Sequence, residues 1–516
     1  MPKLSSLTRL SLSGNCNLEQ IEGLKNTNNQ LKEIYLDQTP ALVGLGGLGG
    51  QTRLHSLAID ESGIMDLEGL DGLECLETLK LSQCFRLVSC GSNIHLPNLK
   101  ELVIKDCKEL KDLSGIHAPK LSVLEIHGGR ADITFSDLGK LPQFQKLDLL
   151  SFKKCSELRS LKTLPENSNI VEASFEECRN LYDFSGASFQ SMVFDKTRKT
   201  FSYEPLGELV DLSPLKDLKK LKIDWLDLSE IKGFDALEEL EELDLVAREF
   251  EANSLALPKS LRILRLRDDG APNLAVLQHL PNLRVLKLFS CDTETLDCQD
   301  QIRALEARSC RKLRKLTGLQ KLTEIEMSFC GDSTAALNFL SAATATRVLW
   351  IRSSQNLGDF GFLRHMPELR DLSIQWKYTA YNGAPKPVPP DIGAIKHCDQ
   401  LEVLTLDSCK AIGVEAIAGL ARMHELRLQD FHFEDLELMR NMGHLEVLEL
   451  KGCEDLQSLG GIENKAKLRV LRVSGNKQTS DYSAIIRTLP AFRPYEKAWP
   501  RGHRSVWLRS AAQQQQ

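Results

Sequence analysis

Residues 445–459 read LEVLELKGCEDLQSL, and the spacing of the apolar side chains in this stretch decides the fold. Leu448 and Leu450 are two positions apart, so on a β-strand they point to the same face. Cys453 follows where the chain must turn, and Leu456 brings an apolar side chain back to the same interior. One such stretch cannot bury its own leucines, so it needs a copy above it and a copy below it.

Copies of this pattern occur along nearly the whole chain, for example LKELVIKDCKEL from Leu99 and LEVLTLDSCKAI from Leu401. Successive copies mostly start 22 or 23 residues apart, as is typical of leucine-rich repeats. We count 21 repeats, which start at Leu7, Leu31, Leu54, Leu76, Leu99, Leu121, Phe144, Ile170, Phe189, Leu218, Leu240, Leu261, Leu283, Ile302, Leu322, Thr346, Leu369, Leu401, Met423, Leu445 and Leu468. The sequence therefore predicts an α/β-type repeat solenoid: a leucine-rich-repeat horseshoe with a parallel β-sheet on its concave face and short irregular, 3-10 or helical segments on its convex face.

The regularity of the repeats divides the chain into four segments. Residues 1–188 hold about eight repeats, and the weaker pattern in 189–217 predicts an irregular repeat or kink. Residues 218–488 form a second block with an insertion at 376–395, whose prolines predict a projecting loop rather than a helix or a central strand. Residues 489–516 are a basic tail that we expect to cap the open end or to be disordered.

Composition and targeting signals favour a cytoplasmic or nuclear protein. The chain has 516 residues and a formal net charge of -6, which gives no general argument for nucleic-acid binding. Residues 1–14 contain no apolar run typical of a secretory signal. No apolar stretch of about 18 residues predicts a membrane span. Because no capping segment precedes the first repeat, we expect the chain to have been cut from a longer protein.

Eight of the 14 cysteines fall eight residues after a repeat start, where the chain turns. At this position a thiol can donate to loop carbonyls in place of the more usual asparagine. These structural turn cysteines are Cys84, Cys107, Cys178, Cys291, Cys310, Cys330, Cys409 and Cys453. No C-x-x-C pair occurs, so the sequence does not support a zinc finger or ribbon. Unpaired cysteines in successive repeats suit a reducing compartment.

The sequence contains no motif that predicts catalysis or a cofactor. Gly44, Gly46 and Gly49 match G-x-G-x-x-G, but they lie in the back half of a repeat rather than in the strand–turn–helix unit that a dinucleotide site requires. Neither H-E-x-x-H nor G-x-S-x-G nor a phosphate loop is present. We therefore expect a non-enzymatic protein without a cofactor or a metal.

The residues between the strand leucines should point to solvent and form rows that cross the repeats. These positions are acidic around Leu240 and basic from Leu261 onwards, and Trp350 occupies a mid-strand position. Because tryptophan and arginine dominate binding hot spots, we predict a partner-binding surface here. Its residues are Arg262, Arg265, Arg267, Arg284, Lys287, Arg303, Arg308, Trp350, Arg352 and Trp376. The alternative is a solvated charged face on which Trp350 packs against its neighbours.

Several features resemble one known family. They are the turn cysteine of L-x-x-L-x-L-x-x-C, the phrase LPKSLRILRL at 257–266 and the consecutive repeats at 445–476. They resemble the repeat regions of plant nucleotide-binding leucine-rich-repeat disease-resistance proteins, most closely the flax rust-resistance class with an N-terminal TIR domain. The resemblance covers nearly the whole chain.

Such receptors also carry a nucleotide-binding domain with a phosphate loop, which this chain lacks. The resemblance therefore implies only a recognition module that senses effectors and restrains the receptor's switch. The implied partner is a protein, either a pathogen effector or the nucleotide-binding domain of a receptor.

Other non-catalytic classes stay open. The 22-residue units around 211–234 are similar to those of scaffolds that regulate phosphatases. A substrate-recognition arm of a ubiquitin ligase would need an F-box or a catalytic cysteine domain, and neither is seen in the sequence. An extracellular receptor domain is disfavoured by the missing signal peptide and the missing paired capping cysteines.

Overall fold

In the computed structural model, the leucines of successive repeats stack behind ladders of parallel strands. The structure describes residues 6–26, 29–128, 135–164, 169–195, 209–224, 228–247, 256–268, 274–330, 334–353, 360–376, 389–407, 411–463, 465–474, 489 and 505–509. The chain divides into two compact units, Met1–Leu261 and Arg262–Gln516.

Eleven strands of the first unit form a parallel ladder in sequence order, and four short strands form two further pairs. In chain order the strands are β1 (Arg9–Ser13), β2 (Glu33–Thr39), β3 (Ser56–Ser62), β4 (Thr78–Ser82), β5 (Ile94–His95), β6 (Glu101–Lys105), β7 (Ile116–His117), β8 (Val123–His127), β9 (Lys146–Lys153), β10 (Asn169–Glu176), β11 (Ser191–Asp195), β12 (Val210–Asp211), β13 (Lys220–Asp224), β14 (Ile231–Lys232) and β15 (Glu242–Ala247). The short pairs are β5 with β7 and β12 with β14.

Ten strands of the second unit continue the same parallel pattern. The strands are β16 (Ile263–Asp268), β17 (Val285–Phe289), β18 (Thr295–Asp297), β19 (Ala304–Arg308), β20 (Lys315–Thr317), β21 (Glu324–Ser328), β22 (Val348–Ser353), β23 (Asp371–Trp376), β24 (Val403–Asp407), β25 (Glu425–Gln429), β26 (Val447–Lys451), β27 (Val470–Ser474) and β28 (Ser505–Arg509). Strands β18 and β20 form a separate short pair. Strand β28 runs antiparallel to β27 and covers its edge.

The connections behind the strands are tight, and every helix in the described ranges is a short 3-10 helix. The helices are Glu22–Asn26, Leu138–Lys140, Leu228–Glu230, Phe234–Ala236, Leu274–His279, Leu319–Lys321, Thr334–Ala342, Gly361–His365, Gly393–His397, Val414–Gly419 and Glu437–Met439. Among these described helices, none combines the length and the apolar character that crossing a lipid bilayer requires.

The predicted leucine-rich-repeat solenoid is confirmed. Every parallel strand of the two main ladders begins two residues after a predicted repeat start, apart from β10, which begins one residue before Ile170. The weakest repeats, at Phe189 and Thr346, supply β11 and β22, and both strands pair in register within the ladder.

The repeat at 445–459 shows why the pattern folds in this way. Leu448 and Leu450 are buried, while Glu449 and Lys451 alternate with them on the outward face of β26. Burying one such leucine contributes about 1.5–3 kcal/mol. Only the neighbouring repeats can supply the apolar surface that makes this burial complete.

The described turns that carry a cysteine share one backbone conformation. The residue before the turn cysteine has a positive φ, as Ser309 does at 57°. This conformation reverses the chain direction while the Ser309 N–H donates to the carbonyl of Ser328 at 2.7 Å, in the next repeat. The Cys310 Sγ then donates to the carbonyls of Arg308 at 3.5 Å and Leu288 at 3.7 Å.

The turn cysteines lie as a series at the inner side of these turns. Those in the described ranges are buried apart from the half-buried Cys330, and Cys409 lies outside those ranges. Burial raises the pKa of Cys453 to about 11, so its thiol remains protonated at neutral pH. Cys155 occupies the same position after the long strand β9, with Sγ 3.6 Å from the carbonyls of Lys153 and Ile126. The sequence pattern missed it, because Cys155 does not fall eight residues after Phe144.

The glycine-rich run at 44–50 is a place of close backbone approach. A Cβ atom on Gly47 would lie 2.0 Å from the carbonyl oxygen of Ile21, in the preceding repeat. Only glycine fits there without moving the backbone. This observation gives the run a packing role within the solenoid.

Several segment predictions fall partly on residues that are not described. Residues 377–388 of the insertion and most of the 489–516 tail lie outside the described ranges. The 189–217 stretch lies inside the first unit, and its described parts supply β11 and β12. The segment boundaries drawn from the sequence remain predictions.

Part of the core of the first unit is a column of stacked phenylalanines. Its members are Phe135, Phe152, Phe175, Phe184, Phe189 and Phe194, all of them buried. Phe175 lies at the centre, 6.1 Å from each of the rings of Phe152, Phe184 and Phe189. The planes of Phe152 and Phe175 differ by 2°. Aromatic side chains here fill the space that leucines occupy in other repeats.

We expect Phe175→Ala to lower the free energy of unfolding by about 3–5 kcal/mol, because it leaves a cavity between three rings. Urea unfolding followed by circular dichroism measures this change. The matched control is Phe85→Ala, whose side chain is 49% exposed and should cost less than about 1 kcal/mol. Equal losses for the two variants would show that the column does not stabilise the unit.

Candidate functional site

The outward face of the second unit carries rows of side chains that cross the strands. The mid-strand row runs from β16 to β23, and its members are Arg265, Lys287, Glu306, Glu326, Trp350 and Ser373. The end row lies two residues further along each strand and contains Arg267, Phe289, Arg308, Ser328 and Arg352. Neighbours within a row are about 4.8 Å apart because each strand is bonded to the next.

Glu306 links the two rows through short ion pairs. Its carboxylate lies 2.6 Å from the Lys287 Nζ and 2.6 Å from the Arg308 Nε. Arg308 also contacts Glu326, with Nη2 3.0 Å from Oε1. Glu306 is only 8% exposed, and its two charge partners oppose the cost of its desolvation. The basic surface predicted from the sequence is therefore locally balanced by carboxylates.

Phe289 lies between two arginines of the end row. The Arg267 guanidinium carbon is 5.7 Å from the centre of the ring, and that of Arg308 is 5.9 Å from it. Guanidinium groups at this distance are attracted to the ring face. The aromatic ring therefore helps to fix the positions of two charged side chains that point towards solvent.

Trp350 is the large aromatic side chain of the mid-strand row, and it is 44% exposed. Its Nε1 donates to the Asp371 Oδ1 at 3.2 Å. Burial raises the pKa of Asp371 above its ordinary value, while the hydrogen bond from Trp350 acts in the opposite direction. One edge of the indole is anchored, and almost half of its surface remains open to solvent.

Nine of the ten predicted binding residues occupy three different places. Arg265, Lys287 and Trp350 lie in the mid-strand row, and Arg267, Arg308 and Arg352 lie in the end row. Arg262, Arg284 and Arg303 precede their strands by one residue and form a separate flank. Trp376 is the last residue of β23, and its side chain lies outside the described part of the structure.

Four residues of this face were missed in the sequence prediction: Glu306, Glu326, Phe289 and Asp371. The repeat alignment could have identified two of them, Glu306 and Glu326. Glu306 and Glu326 lie four residues after their repeat starts, as Arg265 does, so aligning the repeats places all three in one row. The burial of Glu306 and the hydrogen bond of Asp371 depend on side-chain geometry that the repeat pattern does not contain.

Within the described ranges, no three histidine, cysteine or acidic side chains come together as a metal-ligand set. What the face offers instead is an anchored indole, fixed guanidinium groups and paired carboxylates. Such a surface can bury an apolar side chain and form directional hydrogen bonds with a protein.

Comparison with known proteins adds structural likeness alone. No protein-family model and no curated protein sequence matches the chain. A crystal structure of TLR13 with ssRNA13 has a TM-score of 0.46 at 14% identity and covers 89% of this chain and 76% of that one. The structure of the Drosophila Toll–Spatzle complex has a TM-score of 0.46 at 14% identity, with coverages of 73% and 54%. An internalin, inlF, from Listeria monocytogenes has a TM-score of 0.24 at 13% identity, with coverages of 92% and 88%. These similarities are too weak to support a function.

We expect Glu306→Gln to lower the free energy of unfolding by about 1–3 kcal/mol, because it removes a nearly buried charge that two cations share. Urea unfolding measures the loss. The control is Glu324→Gln, an exposed position on the adjacent strand, where a change within about 0.5 kcal/mol is expected. If the two variants were equally stable, the ion pairs of Glu306 would not contribute to folding.

Asp371→Asn should stabilise the protein more at neutral pH than at acid pH. Because burial raises the pKa of Asp371 in the folded state, the folded protein holds this proton to a higher pH than the unfolded chain does. The free energy of unfolding of the native protein therefore falls as the pH rises through the folded pKa of Asp371. This loss is absent below the unfolded pKa of about 3.9. Unfolding free energies of both proteins between pH 3 and pH 7 test this. A difference that did not change with pH would contradict it.

Proposed function

We propose that this chain is a non-catalytic protein-recognition module whose partner docks on the outward sheet face around Trp350. The observation that carries the proposal is the exposed indole, which Asp371 holds at one edge. A side chain held in this way loses little conformational freedom on binding. Covering it with a partner would remove a large apolar area from water.

Neighbouring side chains complete the surface. Phe329, at the end of β21, is also exposed, and its N–H donates to the carbonyl of Arg352 at 2.7 Å. The Arg352 side chain is exposed and forms no ion pair within the described residues. Exposed aromatic and arginine side chains together are typical of binding hot spots. The partner that fits presents an apolar pocket with a carboxylate beside it.

We further propose that the module is the effector-sensing and autoinhibitory repeat region of a plant immune receptor. The support is the resemblance of the repeats at 257–266 and 445–476 to those of disease-resistance proteins. On this proposal the partner is a pathogen effector or a nucleotide-binding receptor domain in the cytoplasm or nucleus. Nucleotide hydrolysis and TIR activity are not part of the proposal, because the chain has no phosphate loop.

Trp350→Ala should weaken partner binding by more than about 2 kcal/mol, because the indole lies at the centre of the proposed interface. Isothermal titration calorimetry with the partner recovered in the pull-down described below measures the loss of binding free energy. Tyr35→Ala is the matched control, since Tyr35 is 38% exposed and lies in the mid-strand row of the first unit. An unchanged affinity for the tryptophan variant would remove this face from the proposal.

A pull-down with proximity labelling in plant cells identifies the partner class. Recovery of an effector or a nucleotide-binding receptor domain, lost in Trp350→Ala, would support both the immune role and the site. Recovery of a phosphatase or ubiquitin-ligase subunit would assign the chain to the scaffold or substrate-adaptor class instead. Recovery that the substitution did not alter would place the interface elsewhere.

A further inference from the structure

The first unit carries exposed apolar side chains on three consecutive turns. Nine large apolar side chains are exposed in the described ranges, and four of them lie close together on these turns: Val43, Met65, Phe85 and Val88. Each is between 44% and 49% exposed. Single exposed apolar residues are ordinary, whereas contiguous ones mark interaction sites. We call these four residues the turn strip.

Backbone hydrogen bonds align three members of the turn strip. The Met65 N–H donates to the carbonyl of Val43 at 3.4 Å, and the Val88 N–H donates to that of Met65 at 3.4 Å. Each of the three therefore lies beside its counterpart on the neighbouring turn, with about 4.8 Å between the chains. Phe85 lies on the same turn as Val88, directly after the turn cysteine.

The same row carries polar side chains at several later turns. Row neighbours there are joined by the same backbone bond, and the described examples are Tyr182 with Arg159 at 3.1 Å, Arg314 with Glu294 at 2.9 Å and Gln457 with Glu434 at 2.9 Å. These turns close with polar residues at the position that the strip fills with apolar ones. The apolar character of the strip is therefore not required by the turn itself.

One end of the turn strip is basic. Lys111 continues the row, because its N–H donates to the carbonyl of the last strip member at 2.8 Å. Its side chain is exposed and forms no ion pair within the described ranges. The residues 85–89 and 108–112 carry three cations and two carboxylates, and one of these carboxylates, Asp112, lies 3.3 Å from the Lys140 Nζ. This end therefore has an excess of positive charge.

The two other cations lie against the apolar side chains. The Lys108 Nζ is 5.6 Å from the centre of the Phe85 ring. The Arg86 Nη2 is 3.8 Å from the Met65 Sδ. An apolar centre with a charged rim is the usual arrangement of a protein interface.

We infer that the turn strip is a second docking surface, which binds an amphipathic α-helix of a partner protein with an acidic residue facing Lys111. Successive turns of an α-helix are about 5.4 Å apart, close to the spacing of about 4.8 Å along the strip. Side chains on one face of an extended strand repeat only every 6.8 Å or so, which fits less well. Apolar residues at i, i+4 and i+7 of the helix would meet Val43, Met65 and Val88. The acidic residue lies about one helical turn further on.

The test is selection from a displayed library of random peptides of about 16 residues on the full chain, with counter-selection on the variant M65S/V88S. Enriched peptides should carry apolar residues at i, i+4 and i+7 and an aspartate or glutamate one turn further on. Enrichment of alternating apolar patterns, or of no peptide that distinguishes the two proteins, would overturn the inference.

Fluorescence anisotropy of an enriched peptide then measures the contribution of single residues. V88S should weaken binding about tenfold, as expected for the loss of one buried apolar side chain. The matched control is I412S, because Ile412 is 55% exposed and its N–H donates to the carbonyl of Pro390 at 3.0 Å, in the corresponding row of the second unit. The control should leave the affinity unchanged, and urea unfolding of both variants confirms that they fold. Equal affinities for V88S and I412S would contradict the inference.

A charge exchange tests the acidic residue of the helix. A peptide with lysine in place of that residue should bind K111E more tightly than the native chain, and the original peptide should show the reverse preference. The same preference for both peptides would show that Lys111 does not select an acidic partner.

Two further measurements separate the alternatives. If the native chain formed a dimer in analytical ultracentrifugation that M65S/V88S abolished, the occupant would be a second copy of this chain and the inference would be wrong. Trp350→Ala should not change peptide binding, because Trp350 lies in the second unit. The strip can therefore fail while the proposed sheet-face site holds, and the reverse is equally visible.

Discussion

Each repeat depends on hydrogen-bond donors for the backbone carbonyl groups at its turn. Where a strand ends, the chain reverses direction beside an apolar core, and its carbonyls lose contact with water. The Cys178 Sγ lies 3.5 Å from the carbonyl of Phe152, in the preceding repeat, and 3.6 Å from that of Glu176. A buried polar group without a partner costs about 1–3 kcal/mol. The thiol therefore allows the turn to close and also joins one repeat to the previous one.

Because the same turn recurs, residues at equal positions in successive repeats lie in rows, and the rows determine which side chains meet. Lys287 lies one repeat before Glu306, and the ladder brings its Nζ to the Glu306 carboxylate. Arg308 lies on the same strand as Glu306 and contacts the same carboxylate. The same stacking places Trp350 beside Asp371. The side chains that interact on the surface therefore come from successive repeats rather than from one stretch of the chain. For this reason no contiguous sequence motif describes them.

The sequence predicted the fold almost residue by residue, because the apolar spacing that defines a repeat also sets where its strand begins. Leu445 predicts a strand start at Val447, and the structure has it there. The candidate site was predicted less completely. The binding residues remain a prediction, and the sequence placed Arg262 and Arg265 on one surface although they belong to different rows. The burial of Glu306 and the hydrogen bond that anchors Trp350 depend on packing between neighbouring repeats. The sequence pattern within one repeat does not contain this information.

The ladder also has a mechanical consequence. Strands β25 and β26 are each bonded to the strand before and to the strand after, and those hydrogen bonds point along the direction in which the repeats stack. A pulling force along that direction loads one strand pair at a time instead of shearing many pairs together. Along this direction the strand pairs of these turns should therefore separate one after another rather than all together.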